Sequence, residues 1–149
     1  YAERSPFELS GGQKRRVAIA GILAMDPDVL VLDEPAAGLD PQGAKDMMEL
    51  FVRLNKEYNK TILLVTHDME HVLTYCDHVV VVDNGHIVQT CDKQQFFKDS
   101  TLLRKLRINP PAVIRLRDEL NQRGFSLPCD LIDMDTLAKA IADEVKAHE

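Results

Sequence analysis

A short apolar run that ends in two carboxylates constrains this chain more than any other stretch. Residues 29–32 alternate valine and leucine, Asp33 and Glu34 follow them, and Pro35 then ends the run. Such a run is typical of a strand buried on both faces of a parallel sheet, and the acids mark its carboxyl end. Ligands of open α/β sheets bind at that end, where two acids suit a metal ion and a water molecule. Taken alone, the run favours the simpler interpretation of solvated acids at a strand end.

Composition narrows the class of protein. The chain has 149 residues, of which 45% are hydrophobic and 28% charged, as in one soluble globular domain. Its apolar runs are shorter than the roughly 18 residues of a membrane span, and its first residues lack the order of a signal peptide. A net charge of -6 disfavours nucleic-acid binding, despite a basic cluster at 14–16. The three cysteines, odd in number and widely spaced, indicate reduced structural thiols in the cytosol.

A Ser-Gly-Gly-Gln sequence at residues 10–13 begins a second informative segment. Apolar residues are dense over 14–25, which predicts a largely buried helix with Ser10 as its N-cap. Gly11 and Gly12 leave backbone N–H groups at the helix N-terminus uncovered by side chains, so this end of the helix is suited to bind a phosphate. A plain helix entry is the alternative for these four residues.

Gly-Leu-Asp-Pro at 38–41 precedes the next helix, with Asp40 as N-cap and Pro41 at the first helical position. Apolar residues then recur at three- and four-residue spacing as far as Tyr58. This spacing predicts an amphipathic helix whose methionines pack in the core.

A second apolar strand is predicted over residues 61–66, directly before His67. The order strand, helix, strand predicts a right-handed parallel crossover, which places His67 at the same sheet edge as Asp33 and Glu34. His67 and His71 also have metal-binding spacing on a helix, but a third ligand is missing and a zinc site is rejected.

The remaining sequence predicts a β-hairpin and a helical tail. Valines at 79–82 and apolar residues at 86–88 flank Asn84-Gly85, a typical hairpin turn. The prolines in 109–111 indicate a boundary, after which two amphipathic helices follow. The predicted fold class is therefore α/β with a small helical C-terminal appendix.

Four motifs in this order resemble the nucleotide-binding subunit of ATP-binding-cassette (ABC) proteins: Ser-Gly-Gly-Gln, a strand ending in Asp-Glu-Pro, Gly-Leu-Asp, and a strand ending in Thr-His-Asp. The resemblance covers residues 5–90. It implies the C-terminal part of a P-loop NTPase (ABC ATPase) parallel-sheet fold, with ATP and Mg²⁺ as cofactors. The implied domains are the C-terminal part of the ATPase domain at 1–108 and a helical dimerisation domain at 109–149.

The resemblance also implies a role for each motif residue. Asp33 orients Mg²⁺, Glu34 is the general base or positions the attacking water, and His67 contacts the γ-phosphate. Asp40 lies in the D-loop, which crosses the interface of a head-to-tail dimer. The signature motif, which binds the γ-phosphate of ATP held by the opposite subunit, consists of Ser10, Gly11, Gly12 and Gln13.

These residue types suit phosphoryl transfer. That reaction needs charge neutralisation and a water in line with the leaving group more than it needs covalent help. A metal-bound aspartate, a water-bound glutamate and backbone donors at a helix N-terminus supply those functions.

A finer resemblance, carried by residues 12–20, 34–41 and 109–113, is to the ATPase subunits of energy-coupling factor (ECF) transporters. These importers take up vitamins or transition-metal ions. The resemblance implies three partners: a second ABC ATPase subunit in a homo- or heterodimer, a membrane-embedded transporter subunit, and a substrate-binding membrane component. Nucleic acid is not an implied partner. The implied location is the cytoplasmic face of the cell membrane.

The sequence departs from the family pattern in one respect, since it holds no Gly-x-x-x-x-Gly-Lys-Ser/Thr motif. Without this P-loop the chain lacks the nest and the lysine that hold the β- and γ-phosphates. We therefore expect a C-terminal fragment with negligible ATPase activity by itself. Two alternative functions are a soluble ABC ATPase that acts on DNA or ribosomes and a non-catalytic dimerisation module.

Overall fold

The computed structural model describes residues 5–147, which fall into two compact units, one up to His67 and one from Asp68 onward. The first unit contains a short 3₁₀ helix (Pro6–Glu8) followed by α1 (Gly11–Leu23), β1 (Val29–Asp33), α2 (Pro41–Tyr58) and β2 (Thr61–Val65). The elements of the second unit are α3 (Met69–Tyr75), β3 (His78–Asp83), β4 (His86–Asp92), α4 (Lys93–Lys98), α5 (Ser100–Lys105), α6 (Ala112–Gln122) and α7 (Met134–Ala147).

In the first unit, β1 and β2 form a parallel pair, as predicted. Their register runs from Val29 opposite Thr61 to Asp33 opposite Val65. Parallel pairing brings the carboxyl ends of the two strands to one edge. The residues that follow each strand therefore meet at that edge.

The prediction that β1 is buried on both faces is wrong for this chain. Burial alternates along the strand: Leu32 is 8% exposed, whereas Val31 is 65% exposed. Helix α2 contacts β2, and the predicted methionine stripe of this helix, Met47 and Met48, is buried together with Phe51. Within residues 5–147 the opposite face has no comparable cover, so its valines remain at the surface.

Helix α1 begins and ends close to the prediction but is not largely buried. Ile19 alone of its 13 residues is buried, whereas Val17 and Ile22 are exposed. Apolar residues occur on all sides of this helix, and such a helix is fully buried only where other elements pack around it. In the described part of the chain, only one side is covered.

The second unit contains the predicted hairpin. β3 and β4 are antiparallel, and the two residues between them, Asn84 and Gly85, have φ angles of 48° and 77°. Two consecutive positive φ angles define a type I′ turn, whose twist matches that of the strands. The Asn-Gly signal in the sequence thus predicted the turn correctly.

One hydrophobic core joins the hairpin to the helices that follow it. Its buried members come from α3, both strands of the hairpin, α4, α5 and the tail: Val72, Val79, Cys91, Phe96, Phe97, Leu103, Val113, Ile114, Leu127 and Leu137. The tail helices thus pack in the same unit as the hairpin. The division of the chain into domains at 1–108 and 109–149 stays a prediction, and residues 1–4 and 148–149 of those domains lie outside the described range.

A buried arginine organises the tail. Arg117 is 1% exposed, and its Nε and Nη2 donate to Oδ1 of Asp118 at 3.0 and 2.8 Å. Nη1 donates to the carbonyl of Cys129 at 2.5 Å, and Nη2 donates to Oγ of Ser100 at 3.2 Å. One guanidinium therefore ties α6 to the loop before α7 and to the start of α5.

Across the part of the chain that the structure describes, no helix combines the length and the apolar character that a membrane crossing requires.

Candidate functional site

The site begins where β1 ends. Asp33 is the last residue of the strand and is exposed, and its ladder partner is Val65. Glu34 follows with φ of 44°, a left-handed conformation that residues other than glycine rarely adopt, and its N–H donates to the Val65 carbonyl at 2.9 Å. This last ladder bond holds the backbone of Glu34 at the carboxyl edge of the sheet.

His67 lies at the same edge and contacts Glu34 directly. Oε1 of Glu34 accepts a hydrogen bond from the His67 backbone N–H at 2.9 Å and lies 2.5 Å from Nδ1 of the ring. Oε2 accepts from Oγ1 of Thr66 at 3.2 Å. The prediction that His67 lies at the same sheet edge as Glu34 is confirmed, and the structure adds their direct contact. Their catalytic roles stay predictions.

Opposing influences set the charge of Glu34. Burial raises the pKa of its carboxyl, but the hydrogen bonds from His67, the charge of that ring and the Thr66 hydroxyl together lower the pKa below its ordinary value of 4.5. The carboxylate is thus an anion near neutral pH. The His67 side chain is 91% exposed and that of Glu34 is 34% exposed, so both are open to solvent.

The Ser-Gly-Gly-Gln sequence forms the start of α1, as predicted. Oγ of Ser10 accepts from the Gln13 N–H at 3.3 Å, while the Ser10 N–H donates to Oε1 of Gln13 at 2.9 Å. This reciprocal capping box fixes the first turn. The Ser10 hydroxyl proton is not used by the cap, so the same side chain can still donate to a ligand. A Cβ atom added at Gly11 would meet nothing within 4 Å, so the N-terminal face of this turn is open.

Asp40 caps the next helix, also as predicted. Its Oδ1 accepts from the Gly43 N–H at 2.9 Å. That hydrogen bond is the main reason why the pKa of Asp40 lies below its ordinary value of 3.8, and the charge of Arg16 lowers the pKa further. Desolvation acts in the opposite direction. Asp40 is therefore an anion whose position is fixed by α2.

The sequence patterns assign no role to two residues at this site. Thr66 ends the predicted strand and begins the Thr-His-Asp motif, and its hydroxyl binds Glu34. Arg15 belongs to the basic cluster at 14–16, and its Nη1 donates to the carbonyls of Pro35 and Ala37 at 2.9 and 2.5 Å. A polar residue at the end of a buried strand could have signalled Thr66, whereas Arg15 carries no comparable local signal.

Asp33, exposed where β1 ends, is the predicted metal ligand, and that role stays a prediction. No group of three or more His, Cys, Asp or Glu residues that could hold a metal occurs among the described residues. Mg²⁺ does not need such a cage, because it keeps several waters and binds through one or two carboxylates together with substrate phosphates. An exposed aspartate beside the anionic Glu34 fits a Mg²⁺ ion that arrives with a nucleotide.

Comparison with known proteins places these features in context. Residues 1–72 match the family profile described as "AAA domain, putative AbiEii toxin, Type IV TA system". The chain is 51% identical over 144 residues to the energy-coupling factor transporter ATP-binding protein EcfA2 of Spiroplasma kunkelii, covering 96% of the chain and 47% of that protein. It is 49% identical over 146 residues to the EcfA2 protein of Enterococcus faecalis, covering 98% of the chain and 50% of that protein. The chain thus spans about half the length of these curated relatives.

Solved structures agree with the sequence relatives. A dimeric ATP-binding cassette in a post-hydrolysis state, bound to ADP and phosphate, is 34% identical with a TM-score of 0.57, covering 62% of the chain and 39% of that protein. A second ATP-binding cassette of an ABC transporter is also 34% identical, with a TM-score of 0.60 and coverages of 71% and 42%. The predicted α/β fold of this class is thereby confirmed.

Proposed function

The chain belongs to the ATP-binding-cassette family of ATPases, and we propose that it works as part of an ATP-hydrolysing subunit of an ECF-type importer. The names of its relatives give this function for them. The observation that carries it is the pairing of Glu34 with His67 at the carboxyl edge of the sheet, at 2.5 Å between Oε1 and Nδ1. ABC ATPases hydrolyse ATP, and an anionic carboxylate held at this edge is what that hydrolysis needs.

Glu34 would act on the attacking water. Its carboxylate is an anion near neutral pH, so it can accept a hydrogen bond from water and then take a proton at an Oε atom. The Thr66 hydroxyl donates to one oxygen of the carboxylate and the His67 N–H donates to the other, which holds the carboxylate in place. The ring of His67 contacts Glu34 through Nδ1 and is exposed, so its Nε2 would be the atom that meets a γ-phosphate.

The signature motif at the start of α1 would bind the γ-phosphate of ATP held by an opposite subunit. Backbone N–H groups at a helix N-terminus favour an anion. Gly11 leaves that approach open, and the Ser10 hydroxyl supplies a further donor. This motif, together with Asp40 in the D-loop, would form the dimer interface with a second ABC ATPase subunit.

Asp33 would hold Mg²⁺ through its carboxylate, directly or through water. When bound, Mg²⁺ neutralises charge on the phosphate oxygens. The side chain of Asp33 is exposed at the point where β1 ends. Its neighbour Glu34 is held by His67 and Thr66, which separates the metal function from the water function.

The importer assignment implies partners in the membrane. The ATPase would bind a membrane-embedded transporter subunit and a substrate-binding membrane component, and it would lie at the cytoplasmic face of the membrane. Purification of the full-length protein that carries this chain tests this part. Recovery of the protein with membrane subunits supports the importer, whereas recovery with ribosomes or DNA contradicts it.

The central experiment compares ATP hydrolysis by that full-length protein and by its Glu34→Gln variant. We expect kcat to fall about 100-fold or more, because glutamine cannot accept the proton. Glu49→Gln, an exposed change on α2, is the matched control and should leave the rate unchanged. A Glu34→Gln protein that hydrolyses ATP at the wild-type rate contradicts the proposal.

The 149-residue chain by itself should not hydrolyse ATP, since its sequence contains no P-loop. The measurement is phosphate release by the purified chain with Mg²⁺ and ATP. Robust Mg²⁺-dependent hydrolysis by this chain contradicts the expectation.

A further inference from the structure

We infer that Arg15 is a positioning residue that couples the phosphate-binding turn of α1 to the backbone next to Glu34. The inference rests on the proposed function, because it assumes that both places act in ATP hydrolysis. It concerns a connection between them within one chain. The segment that makes this connection is the loop of residues 35–39, which we call the linking loop.

Arg15 holds the linking loop from α1. Its Nη1 donates to the carbonyl oxygen of Pro35 at 2.9 Å and to that of Ala37 at 2.5 Å. Both are charge-assisted bonds, which are shorter and stronger than bonds between neutral groups. Pro35 is buried and Arg15 is half-buried, so the Pro35 bond is partly shielded from water. The Ala37 bond is exposed to solvent.

A second contact joins α1 to the same loop. A Cβ atom added at Gly12 would lie 3.2 Å from Cδ2 of Leu39, which is tighter than ordinary van der Waals contact. Gly12 therefore lets the linking loop approach the first turn of α1 closely. Arg15 and Gly12 contact the loop on either side of Gly38, so the turn and the loop form one mechanical unit.

Two acids of the proposed site flank the linking loop. Glu34 precedes Pro35 and is held at the sheet edge by Val65 and His67, whereas Asp40 follows Leu39 and is held by the start of α2. A shift of the α1 turn on binding phosphate thus pulls directly on the peptide next to Glu34. Small displacements of a catalytic group cost large factors in rate, so this link can set kcat.

The test uses the full-length protein that carries this chain, with Arg15→Gln and Arg15→Lys variants. Lys14→Gln is the matched control, because it removes an exposed charge from the adjacent position of the same helix. For Arg15→Gln we expect kcat to fall about tenfold while KM for ATP changes by less than about twofold. Arg15→Lys keeps one charged donor and should give an intermediate kcat, and Lys14→Gln should give the wild-type kcat.

Hydrogen exchange gives a readout that does not depend on activity. The amides of Ala37 and Leu39 donate to the carbonyls of Glu34 and Ala36 at 3.1 and 3.2 Å. We expect faster exchange at both amides in Arg15→Gln and unchanged exchange in Lys14→Gln. A purely structural role would instead lower the melting temperature and raise exchange throughout the first unit.

The outcomes separate the two proposals. A wild-type protein without ATPase activity contradicts the proposed function, and hydrogen exchange then still tests the link. Wild-type kcat and wild-type exchange in Arg15→Gln overturn the link, as does a loss that appears only in KM. If Arg15→Gln does not fold, Arg15→Lys becomes the test. A wild-type kcat together with wild-type exchange in Arg15→Lys would then overturn the link.

Discussion

The backbone N–H and the ring Nδ1 of His67 both contact Oε1 of Glu34, at 2.9 and 2.5 Å. The two residues are 33 positions apart in the chain and meet because β1 and β2 are parallel and in register. Together with the Thr66 hydroxyl, these contacts outweigh burial and lower the pKa of the Glu34 carboxyl. The electrostatics of the site therefore depends on a tertiary contact.

That contact predicts a measurable shift in titration. In His67→Ala the ring contact is lost while the backbone N–H remains, so the pKa of Glu34 should rise toward its ordinary value of 4.5 without a complete return. The ¹³C chemical shift of the Glu34 carboxyl, followed against pH, measures this change. His86→Ala, a change at an exposed position in β4, is the control and should leave the Glu34 titration unchanged.

The same shift fixes the sign of a stability effect. A carboxyl whose pKa is lower in the folded state stabilises the fold above its ordinary pKa, here 4.5, and loses that contribution as the pH falls through the lower folded value. The destabilisation caused by His67→Ala should therefore be largest above pH 4.5 and shrink below it. Urea unfolding at several pH values tests this, and a difference that grows with acidity contradicts it.

The packing of α2 on the sheet can be tested at one aromatic residue. Phe51→Ala removes a buried ring and should lower the free energy of unfolding by about 3–5 kcal/mol. Tyr58→Ala, at the exposed end of the same helix, should change it by less than about 0.5 kcal/mol. Denaturant unfolding of the two variants provides the comparison, and equal losses would mean that Phe51 does not face the core.

Arg117 should prove indispensable to the second unit. Arg117→Leu leaves the Asp118 carboxylate and the Cys129 carbonyl without their charged donor, at a cost on the order of 3 kcal/mol. Arg115→Leu removes an exposed arginine from the same helix and serves as the control. Thermal unfolding followed by circular dichroism measures both. Equally small decreases in melting temperature for the two variants would contradict a stabilising role for Arg117.

Two glycines should respond to alanine in opposite directions. Gly85 has φ of 77° in the hairpin turn, so Gly85→Ala should destabilise the chain by about 1–2 kcal/mol. Gly21 lies inside α1 with nothing within 4 Å of an added Cβ, so Gly21→Ala should stabilise the chain by about 0.5–1 kcal/mol. Free energies of unfolding for both variants give the signs. A stabilising Gly85→Ala would contradict the type I′ geometry of the turn.

Features that depend on residues close together in the chain were predictable from the sequence. Ser10 and Asp40 cap their helices as their residue types indicate, and Asn84-Gly85 forms the expected turn. The parallel order of β1 and β2 also followed from the strand, helix, strand pattern. Caps and turns are decided by bonds within a few residues, so the local sequence contains the information.

Burial was predicted less well, because it depends on what surrounds an element. The apolar composition of β1 and α1 indicated enclosure on all sides, yet Val31 and Val17 are exposed. An apolar side chain indicates that a buried position would suit it, but it does not show which residues would cover it. Which faces are covered depends on the elements that pack there.

The residue types and their order along the chain specify the chemical groups of this protein: a Ser-Gly-Gly-Gln turn, two acids at the end of a strand and a histidine at the end of the next. How those groups are connected depends on the folded chain. The Glu34 carboxylate is held by His67 and Thr66, and Arg15 on α1 binds the Pro35 and Ala37 carbonyls of the linking loop. A helix cap is made within one turn of chain, whereas these bonds join residues 20 to 33 positions apart and therefore depend on side chains that reach across the fold.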